Sequence, residues 1–249
     1  MLNEALSRAK LGHQANLHEM PPDYEHLAFE LAERYLPSSA HLMINETTGA
    51  AWLDENRPFF HNLIRSLRRR GAKIDGIGLQ WHLFGLDQQQ RLLDGDWLSP
   101  RSMLGALDEY AEHGLPLHVS EITLHSMADD AAGRQLQARL ARLVYRLWFS
   151  HPAVHAITWW NVTDGGAVPG EDHLPSGLLD ADLQPKPAWD ALEQLINHEW
   201  RTNTTVTTDD RGRATFRGFL GRYRFEGDGE QQTASVDADG DAVVRLSCF

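Results

Sequence analysis

The sequence contains almost no cysteine and no long apolar run. Cys248 is the single cysteine among 249 residues, so neither an intramolecular disulfide nor a cluster of thiolate metal ligands can form. No apolar run approaches the ~18 residues of a membrane-spanning helix, and the first residues lack the basic and apolar regions of a signal peptide. We therefore expect no membrane partner.

Basic residues are also scarce. The chain has 23 Lys and Arg against 35 Asp and Glu, which gives a formal net charge of -12. Nucleic-acid binding depends largely on Lys and Arg that neutralise phosphates, so we expect no nucleic-acid partner. The one basic cluster, Arg68 to Arg70, is more simply the C-terminal end of a helix, where cations complement the helix dipole.

No group of residues makes a convincing metal site. His151 and His155 have the spacing of a helical pair, but Pro152 and a strand-like pattern interrupt the helix. The segment "DADGD" that begins at Asp237 resembles the start of a calcium loop but lacks the later Glu, and a hairpin turn explains it better. We expect no metal and no other cofactor.

Helical and strand-like patterns alternate up to about residue 197. Four short buried strands are predicted from "HLMINE", "IDGIGLQWHL", "LPLHVSEITL" and "VHAITWWNV". The helices between them carry start and stop signals, such as Pro100 after Ser99 and the terminal Gly71 and Gly114. Apolar strands separated by helices indicate a parallel α/β sheet, and four at this spacing amount to half of an eightfold barrel.

The composition and the periodicity of the sequence change in about the last fifty residues. The runs "ATFRGF", "RYRFE", "TASVDA" and "AVVRL" alternate with Gly and Asp turns, which predicts short antiparallel strands. We therefore predict an α/β domain over residues 1–197 and a small all-β accessory domain over residues 198–249.

Polar residues gather at the predicted C-terminal ends of the strands, where α/β barrels carry their functional groups. They are Asn3, Glu4, Asn45, Glu46, Gln80, His82, Glu121, Trp160, Asn161 and Asp164. A carboxylate inside an apolar strand, such as Glu121, is costly unless it is paired or hydrogen-bonded. Two carboxylates at one barrel mouth can act as a general acid/base and a nucleophile across a glycosidic bond.

Simpler interpretations stand beside these roles. Glu121 could be a salt-bridged core residue, Glu4 a solvent-facing acid in a first helical turn, and His82 a hydrogen-bonded core histidine. Trp159 and Trp160 are adjacent and face opposite sides of a strand, so one of them packs in the core. We favour Trp160 for the pocket.

The segments "LNEAL", "INE", "IDGIGLQWHL", "LPLHVSEITL", "ITWWNVTD" and "GLLDADLQPKPAWDAL" resemble, in order and spacing, the second half of glycoside hydrolase family 10, the endo-β-1,4-xylanases. The resemblance covers residues 2 to about 197. It implies a partial (β/α)8 TIM barrel made of strands 5 to 8 and the end of strand 4, followed by the small all-β C-terminal domain.

The resemblance also implies an activity, namely retaining hydrolysis of xylan or a related plant polysaccharide. Glu4 would be the acid/base and Glu121 the nucleophile. The substrate-binding candidates are Asn3 at the 2-hydroxyl of the sugar, Gln80 and His82 orienting the nucleophile, Trp160 as an apolar platform, and Asn45. Enzymes of this kind are usually exported, so we expect the intact protein to be secreted or periplasmic.

The chain departs from the family pattern at three places. Thr123 stands where the family has an Asp two residues after the nucleophile, which removes a carboxylate that would polarise the neighbouring His. "NETT" replaces Asn-Asp-Tyr, and the loop "GGAVPGEDHLPSG" lacks a second Trp. A substrate preference different from plain xylan would follow.

The first three β/α units of the family have no counterpart before Asn3. We therefore expect an N-terminally truncated form whose open half barrel favours self-association. Two alternatives stay open: a non-catalytic, carbohydrate-binding or inactive remnant of such a barrel, and another retaining barrel glycosidase such as a cellulase or mannanase.

Overall fold

The computed structural model describes residues 2–6, 23–95, 97–227 and 230–236. The chain divides into two compact units, residues 1–191 and residues 192–249. The boundary drawn from the sequence lies six residues later, and the assignment of the tail as an accessory domain stays a prediction. The "AVVRL" run and the "DADGD" turn lie outside the described residues.

A five-stranded parallel sheet forms the centre of the first unit. Its strands follow in chain order: β1 (Leu2–Asn3), β2 (Met43–Glu46), β3 (Gly76–His82), β4 (Leu117–Thr123) and β5 (Val154–Ile157). Each strand pairs in parallel with the next. The predicted parallel α/β sheet is thus confirmed, and all strand ends that carry the candidate residues lie at the same edge.

In the described residues, helices connect the strands of the sheet, and one more follows the last strand. They are α1 (Tyr24–Tyr35), α2 (Thr48–Ala51), α3 (Arg57–Arg69), α4 (Leu86–Asp94), α5 (Pro100–Ala111), α6 (Ala131–Phe149) and α7 (Pro187–Glu193), which a π-helical segment continues over Gln194–Glu199. The Ser99 hydroxyl accepts from the Ser102 N–H at the start of α5, and the Asp130 carboxylate accepts from the Gly133 N–H at the start of α6. In the described part of the chain, no helix is both long and apolar enough to cross a bilayer.

Two of these helices, α2 and α4, were not predicted. Helix α2 has only four residues, too few for a periodic apolar pattern to develop. Helix α4 buries a polar residue, Gln89, whose side-chain amide donates to the His125 carbonyl at 2.6 Å and accepts from the His125 N–H at 3.2 Å. A helix that is held by hydrogen bonds of a buried glutamine escapes a search for apolar periodicity.

Strand β3 is buried along its whole length and has two chemically different faces. One face presents Ile77, Leu79 and Trp81, and the Trp81 ring meets Trp148 of α6 edge-on at 5.2 Å. The other face carries Gln80 and His82, because side chains alternate along a strand. The apolar face anchors the sheet to its helices, and the polar face is available for chemistry.

The second unit contains an antiparallel hairpin, β6 (Gly221–Gly227) and β7 (Glu230–Val236), into which "RYRFE" and most of "TASVDA" fall. The prediction of a strand over "ATFRGF" is wrong, because residues 214–219 have no regular structure. There the Phe219 N–H donates to the Thr202 hydroxyl at 3.1 Å, and the Phe219 carbonyl accepts from the Tyr223 hydroxyl. Side chains therefore take backbone groups that a strand ladder would have used.

Candidate active site

Strand register brings the candidate residues together. In the parallel ladder Gln80 of β3 lies beside Glu121 of β4, and His82 lies beside Thr123. On the other side of β3, where β1 pairs with β2, the Glu4 N–H donates to the Asn45 carbonyl at 2.9 Å, directly after the Asn3–Asn45 pair. Residues far apart in the sequence therefore meet at the carboxyl edge of β1 to β4.

The two carboxylates share a hydrogen-bond donor. The Gln80 Nε2 donates to the Glu121 Oε1 at 3.1 Å and to the Glu4 Oε1 at 3.0 Å. These two oxygens can be no farther apart than the sum of the two distances, about 6 Å. Gln80 is only 1% exposed, so its amide has little freedom to swing away. The Asn3 Oδ1 lies within reach as a third acceptor at 3.2 Å, and the two protons of the amide are shared among the three.

Glu121 is held by the side chains of Gln80, Asn45 and His82 rather than by a salt bridge to Lys or Arg. Its Oε1 accepts from the Gln80 amide and from the Asn45 Nδ2 at 3.1 Å, and its Oε2 lies 3.2 Å from the His82 Nε2. The residue is 9% exposed. In the described residues no Lys or Arg pairs with this carboxylate. The arrangement satisfies both oxygens and leaves the group at the edge of the sheet.

Glu4 lies between two elements, after β1 and before a helical turn at residues 5–6. Its φ of 57° is in the left-handed region, which is unusual for a residue with a Cβ. The Asn3 Nδ2 donates to its Oε1 at 3.2 Å, and the Leu6 N–H donates to the Glu46 Oε1 at 2.6 Å. Glu46 thereby fastens the chain just after Glu4, whose carboxylate faces the Gln80 amide.

Asn45 is fully buried and its amide is occupied by protein groups. Its Nδ2 donates to the Asn3 Oδ1 at 2.7 Å and to Glu121, and its Oδ1 accepts from the Ser120 hydroxyl at 2.6 Å. The role of Asn45 in binding substrate stays a prediction. Its observed contacts tie β1 to β4 across β3.

His82 contacts Glu121 through one ring nitrogen and Thr123 through the other. The Nδ1 lies 2.8 Å from the Thr123 Oγ1. The Phe84 ring stacks on the imidazole at 4.6 Å, and the His82 N–H donates to the Thr48 Oγ1 at 2.6 Å. Thr48 and Phe84 are not among the candidate residues predicted from the sequence. Thr48 belongs to the "NETT" stretch, whose only predicted significance is a departure from the family pattern.

The adjacent tryptophans differ in their surroundings. Trp160 is 42% exposed, its ring lies edge-on to His82 at 5.9 Å, and its Nε1 donates to Glu171 at 3.0 Å. Trp159 is half-buried and donates to the Ser176 carbonyl at 3.1 Å. An open indole face therefore lies beside the His82 end of the site.

In the described residues, the side-chain hydrogen bonds of Asn161 and Asp164 go to the loop after β5 and to Lys186 rather than to Glu4 or Glu121. The Asn161 Nδ2 donates to the Ser176 Oγ at 2.7 Å. The Lys186 ammonium, fully buried, donates to the Asp164 Oδ1 at 2.9 Å. Burial lowers the pKa of Lys186, and the hydrogen bond to Asp164 opposes that shift. Over the described ranges, no three His, Cys, Asp or Glu residues are grouped so as to hold a metal ion.

Comparisons with known proteins agree on one family. The sequence profile of glycosyl hydrolase family 10 matches residues 1–195. Endo-1,4-beta-xylanase B of Thermotoga neapolitana is 30% identical over 146 residues, which is 57% of this chain and 39% of that protein. Anti-sigma-I factor RsgI6 of Acetivibrio thermocellus is 30% identical over 162 residues, which is 65% of this chain and 19% of that protein.

The fold is shared with a solved structure. Xylanase 10B from Thermotoga petrophila RKU-1, crystallised in complex with xylobiose, matches with a TM-score of 0.56 and 25% identity. The match covers 72% of this chain and 52% of the xylanase, so the chain spans about half the length of that structure. Together with the parallel sheet, the match identifies the α/β unit as a fragment of a TIM barrel. With the family profile matching more than three quarters of its residues, this chain belongs to glycosyl hydrolase family 10.

Proposed function

We propose that this chain carries the catalytic centre of a retaining endo-β-1,4-glycosidase that hydrolyses xylan or a related plant polysaccharide. The single observation that carries the proposal is the Gln80 amide, which donates to both Glu121 and Glu4. An upper limit of about 6 Å between these two oxygens is compatible with a retaining pair, whose carboxyl groups lie ~5–5.5 Å apart.

In the first step Glu121 attacks the anomeric carbon while Glu4 protonates the departing glycosidic oxygen. A covalent glycosyl-enzyme forms with inverted configuration at that carbon. In the second step Glu4 removes a proton from water, the water attacks the same carbon, and Glu121 leaves. Two inversions return the starting configuration.

The remaining side chains support these steps. The Gln80, Asn45 and His82 donors hold the Glu121 carboxylate in one orientation before attack. The Asn3 amide donates to Glu4 and accepts from the Asn45 amide, which also donates to Glu121, a position suited to a sugar hydroxyl near the reacting carbon. The exposed face of Trp160 offers an apolar platform for a sugar ring.

The substrate class rests on the relatives. The similar proteins named above include a xylanase and a xylanase in complex with xylobiose, which favours a β-1,4-linked xylose backbone for this chain. We further propose that β2 to β5 correspond to strands 5 to 8 of the barrel. We also propose that the C-terminal end forms a small all-β accessory domain and that the intact protein is exported.

External azide tests the roles of the two carboxylates. With an aryl β-xyloside that has a good leaving group, Glu121→Ala should lose at least about a thousand-fold in kcat and, with azide added, form the α-glycosyl azide. Glu4→Ala should keep glycosylation of that substrate, since little acid assistance is needed, and form the β-glycosyl azide. Either anomer appearing with the other variant contradicts the assignment.

A second function is favoured by a different observation. One relative at 30% identity is named an anti-sigma-I factor rather than a hydrolase. The competing proposal is a chain of this family that does not cleave polysaccharide, namely a non-catalytic carbohydrate-binding or inactive remnant of such a barrel. Titration calorimetry with xylohexaose beside a reducing-sugar assay separates the two, because binding without turnover favours the competitor. Mannan and β-1,4-glucan oligosaccharides run in parallel test the substrate class.

Self-association forms part of the proposal. β1 and β5 are the outer strands of the described sheet, and β1 has only two residues. Unpaired strand edges favour pairing with a second chain. Sedimentation velocity over a hundred-fold range of concentration should show a species larger than the 28.1 kDa monomer. A single monomeric boundary at all concentrations would remove this part of the proposal.

A further inference from the structure

We propose that the Thr123 hydroxyl is a positioning group that holds His82 as a neutral imidazole with its proton on Nε2, where it donates to Glu121. The catalytic meaning of this inference rests on the proposed function, because Glu121 needs a fixed orientation only if it is the nucleophile. The placement of the proton itself can be measured without any turnover.

Three side chains form a buried row at the end of β3 and β4. The Thr123 Oγ1 lies 2.8 Å from the His82 Nδ1, and the His82 Nε2 lies 3.2 Å from the Glu121 Oε2. Thr123 is 2% exposed and His82 6% exposed. Water therefore has little access to either ring nitrogen, and each nitrogen depends on its protein neighbour for a hydrogen bond.

The chemistry of the neighbours decides where the proton lies. An ionised carboxylate only accepts hydrogen bonds, so the Nε2 facing Glu121 has to be the donor. A neutral imidazole carries one N–H, which leaves Nδ1 as an acceptor that needs a donor beside it. The Thr123 hydroxyl supplies that donor, and in the described residues it contacts no other hydrogen-bond partner.

The ring cannot avoid this arrangement by turning. Phe84 stacks on it with an interplanar angle of 14°, and Trp160 meets it edge-on. A half-turn of the ring would place carbon atoms opposite both Thr123 and Glu121 and lose both hydrogen bonds. Packing fixes the ring plane, and the two neighbours fix which nitrogen faces which oxygen.

Three substitutions at position 123 separate a hydroxyl donor from mere packing. Thr123→Ser keeps the hydroxyl. Thr123→Val keeps the branched shape but offers no hydrogen bond to Nδ1. Thr123→Asp offers an acceptor only, so Nδ1 would need a proton while Nε2 still donates to Glu121, and the ring would carry both protons.

Long-range proton–nitrogen correlation spectra of the 15N-labelled chain at neutral pH report these protons directly. The His82 signals are identified as those that disappear from the spectrum of the His82→Gln variant. We expect the Nε2–H tautomer in the parent chain and in Thr123→Ser, loss of a single tautomer in Thr123→Val, and a doubly protonated ring in Thr123→Asp. An Nδ1–H tautomer in the parent chain, or a pattern that is the same in all four proteins, overturns the inference.

Kinetics supply a second readout. Thr123→Val should lower kcat roughly ten-fold with little change in KM, since one buried hydrogen bond is lost, and Thr123→Ser should restore it. If the chain shows the expected tautomer but turns over no substrate, the proposed function is wrong and the proton placement is retained. If the chain turns over substrate but shows the Nδ1–H tautomer, the proton placement is wrong and the proposed function is retained.

Discussion

The side chain of Asn45 crosses strand β3 at Gly78. A Cβ placed on Gly78 would lie 2.2 Å from the Asn45 Oδ1 and 2.9 Å from its Cγ. Only the absence of a side chain at Gly78 lets the Asn45 amide pass over the strand and reach Ser120 and Glu121 of β4. A glycine inside a fully buried strand is thus required by a side chain of the neighbouring strand.

Gly78→Ala should therefore displace Asn45 and disorganise the site. We expect a loss of roughly 1–3 kcal/mol in the free energy of unfolding, because the new methyl group overpacks a buried strand, together with a large loss of kcat. Gly105→Ala is the matched control. A Cβ at Gly105 meets nothing within 4 Å, and Ala is the better helix former, so this variant should be as stable as the parent or more so. Urea unfolding measures the free energy of unfolding of both variants. Equal values for the two would contradict the passage of the Asn45 side chain over Gly78.

Gln80→Leu should reduce kcat by roughly ten- to a hundred-fold, because it removes the donor that Glu4 and Glu121 share. Gln89→Leu removes a second buried glutamine, one that holds the His125 backbone rather than the carboxylates. It should lower stability with a much smaller effect on kcat. Steady-state kinetics at a temperature where both variants are folded distinguish them, and similar losses of kcat would argue against a special role for Gln80.

The stability of the chain should fall as the pH is lowered from about 6.5 toward 4. Burial, with the nearby His113 second, lowers the pKa of His61 from 6.5 to about 4. The folded state therefore keeps His61 neutral where the unfolded chain binds a proton, so its contribution is complete above pH 6.5 and is lost as the pH falls through this window. At about 1.4 kcal/mol per pKa unit, the contribution is at most about 3.5 kcal/mol.

His61→Phe tests this assignment while retaining an aromatic ring against Tyr110, on which His61 stacks at 4.3 Å. Guanidinium unfolding at pH 7.5 and 4.5 should show a smaller difference for the variant than for the parent. Part of the difference should persist, since burial also lowers the pKa of His125 to about 4. An unchanged difference between the two pH values would mean that His61 is not the titrating group.

Lys186→Met should destabilise the chain by about 3 kcal/mol, because it leaves the carboxylate of Asp164 without its buried cation. The double variant Asp164→Asn with Lys186→Met should recover part of this loss, since Asn can still accept from the Gly177 N–H that now donates to Asp164 at 2.7 Å. Thermal unfolding of the single and double variants measures the coupling between the two positions. Additive losses would show that the pair is not coupled.

The main helices and strands were predictable because their signals are local. Helix α5 begins after Ser99 with Pro100, and both the hydroxyl cap and the proline act within one turn. Helix α4 was not predictable, because the hydrogen bonds of Gln89 that hold it come from His125, far along the chain. At the end of the falsely predicted strand over residues 214–219, the side chains of Thr202 and Tyr223 bind the backbone groups of Phe219, which strand periodicity does not reveal.

The sequence alone determined which residues lie at strand ends, because the apolar periodicity of a strand and the glycine and proline residues that end it are local features of short segments. Order and spacing of those segments also sufficed to indicate the family. Only the tertiary structure decided which of these residues meet: the register that sets Gln80 beside Glu121, the passage of Asn45 over Gly78, and the Thr123 hydroxyl at the His82 ring. The physical reason is that a hydrogen bond needs donor and acceptor within about 3 Å, and such closeness between residues roughly thirty to eighty positions apart arises only from strand pairing and packing.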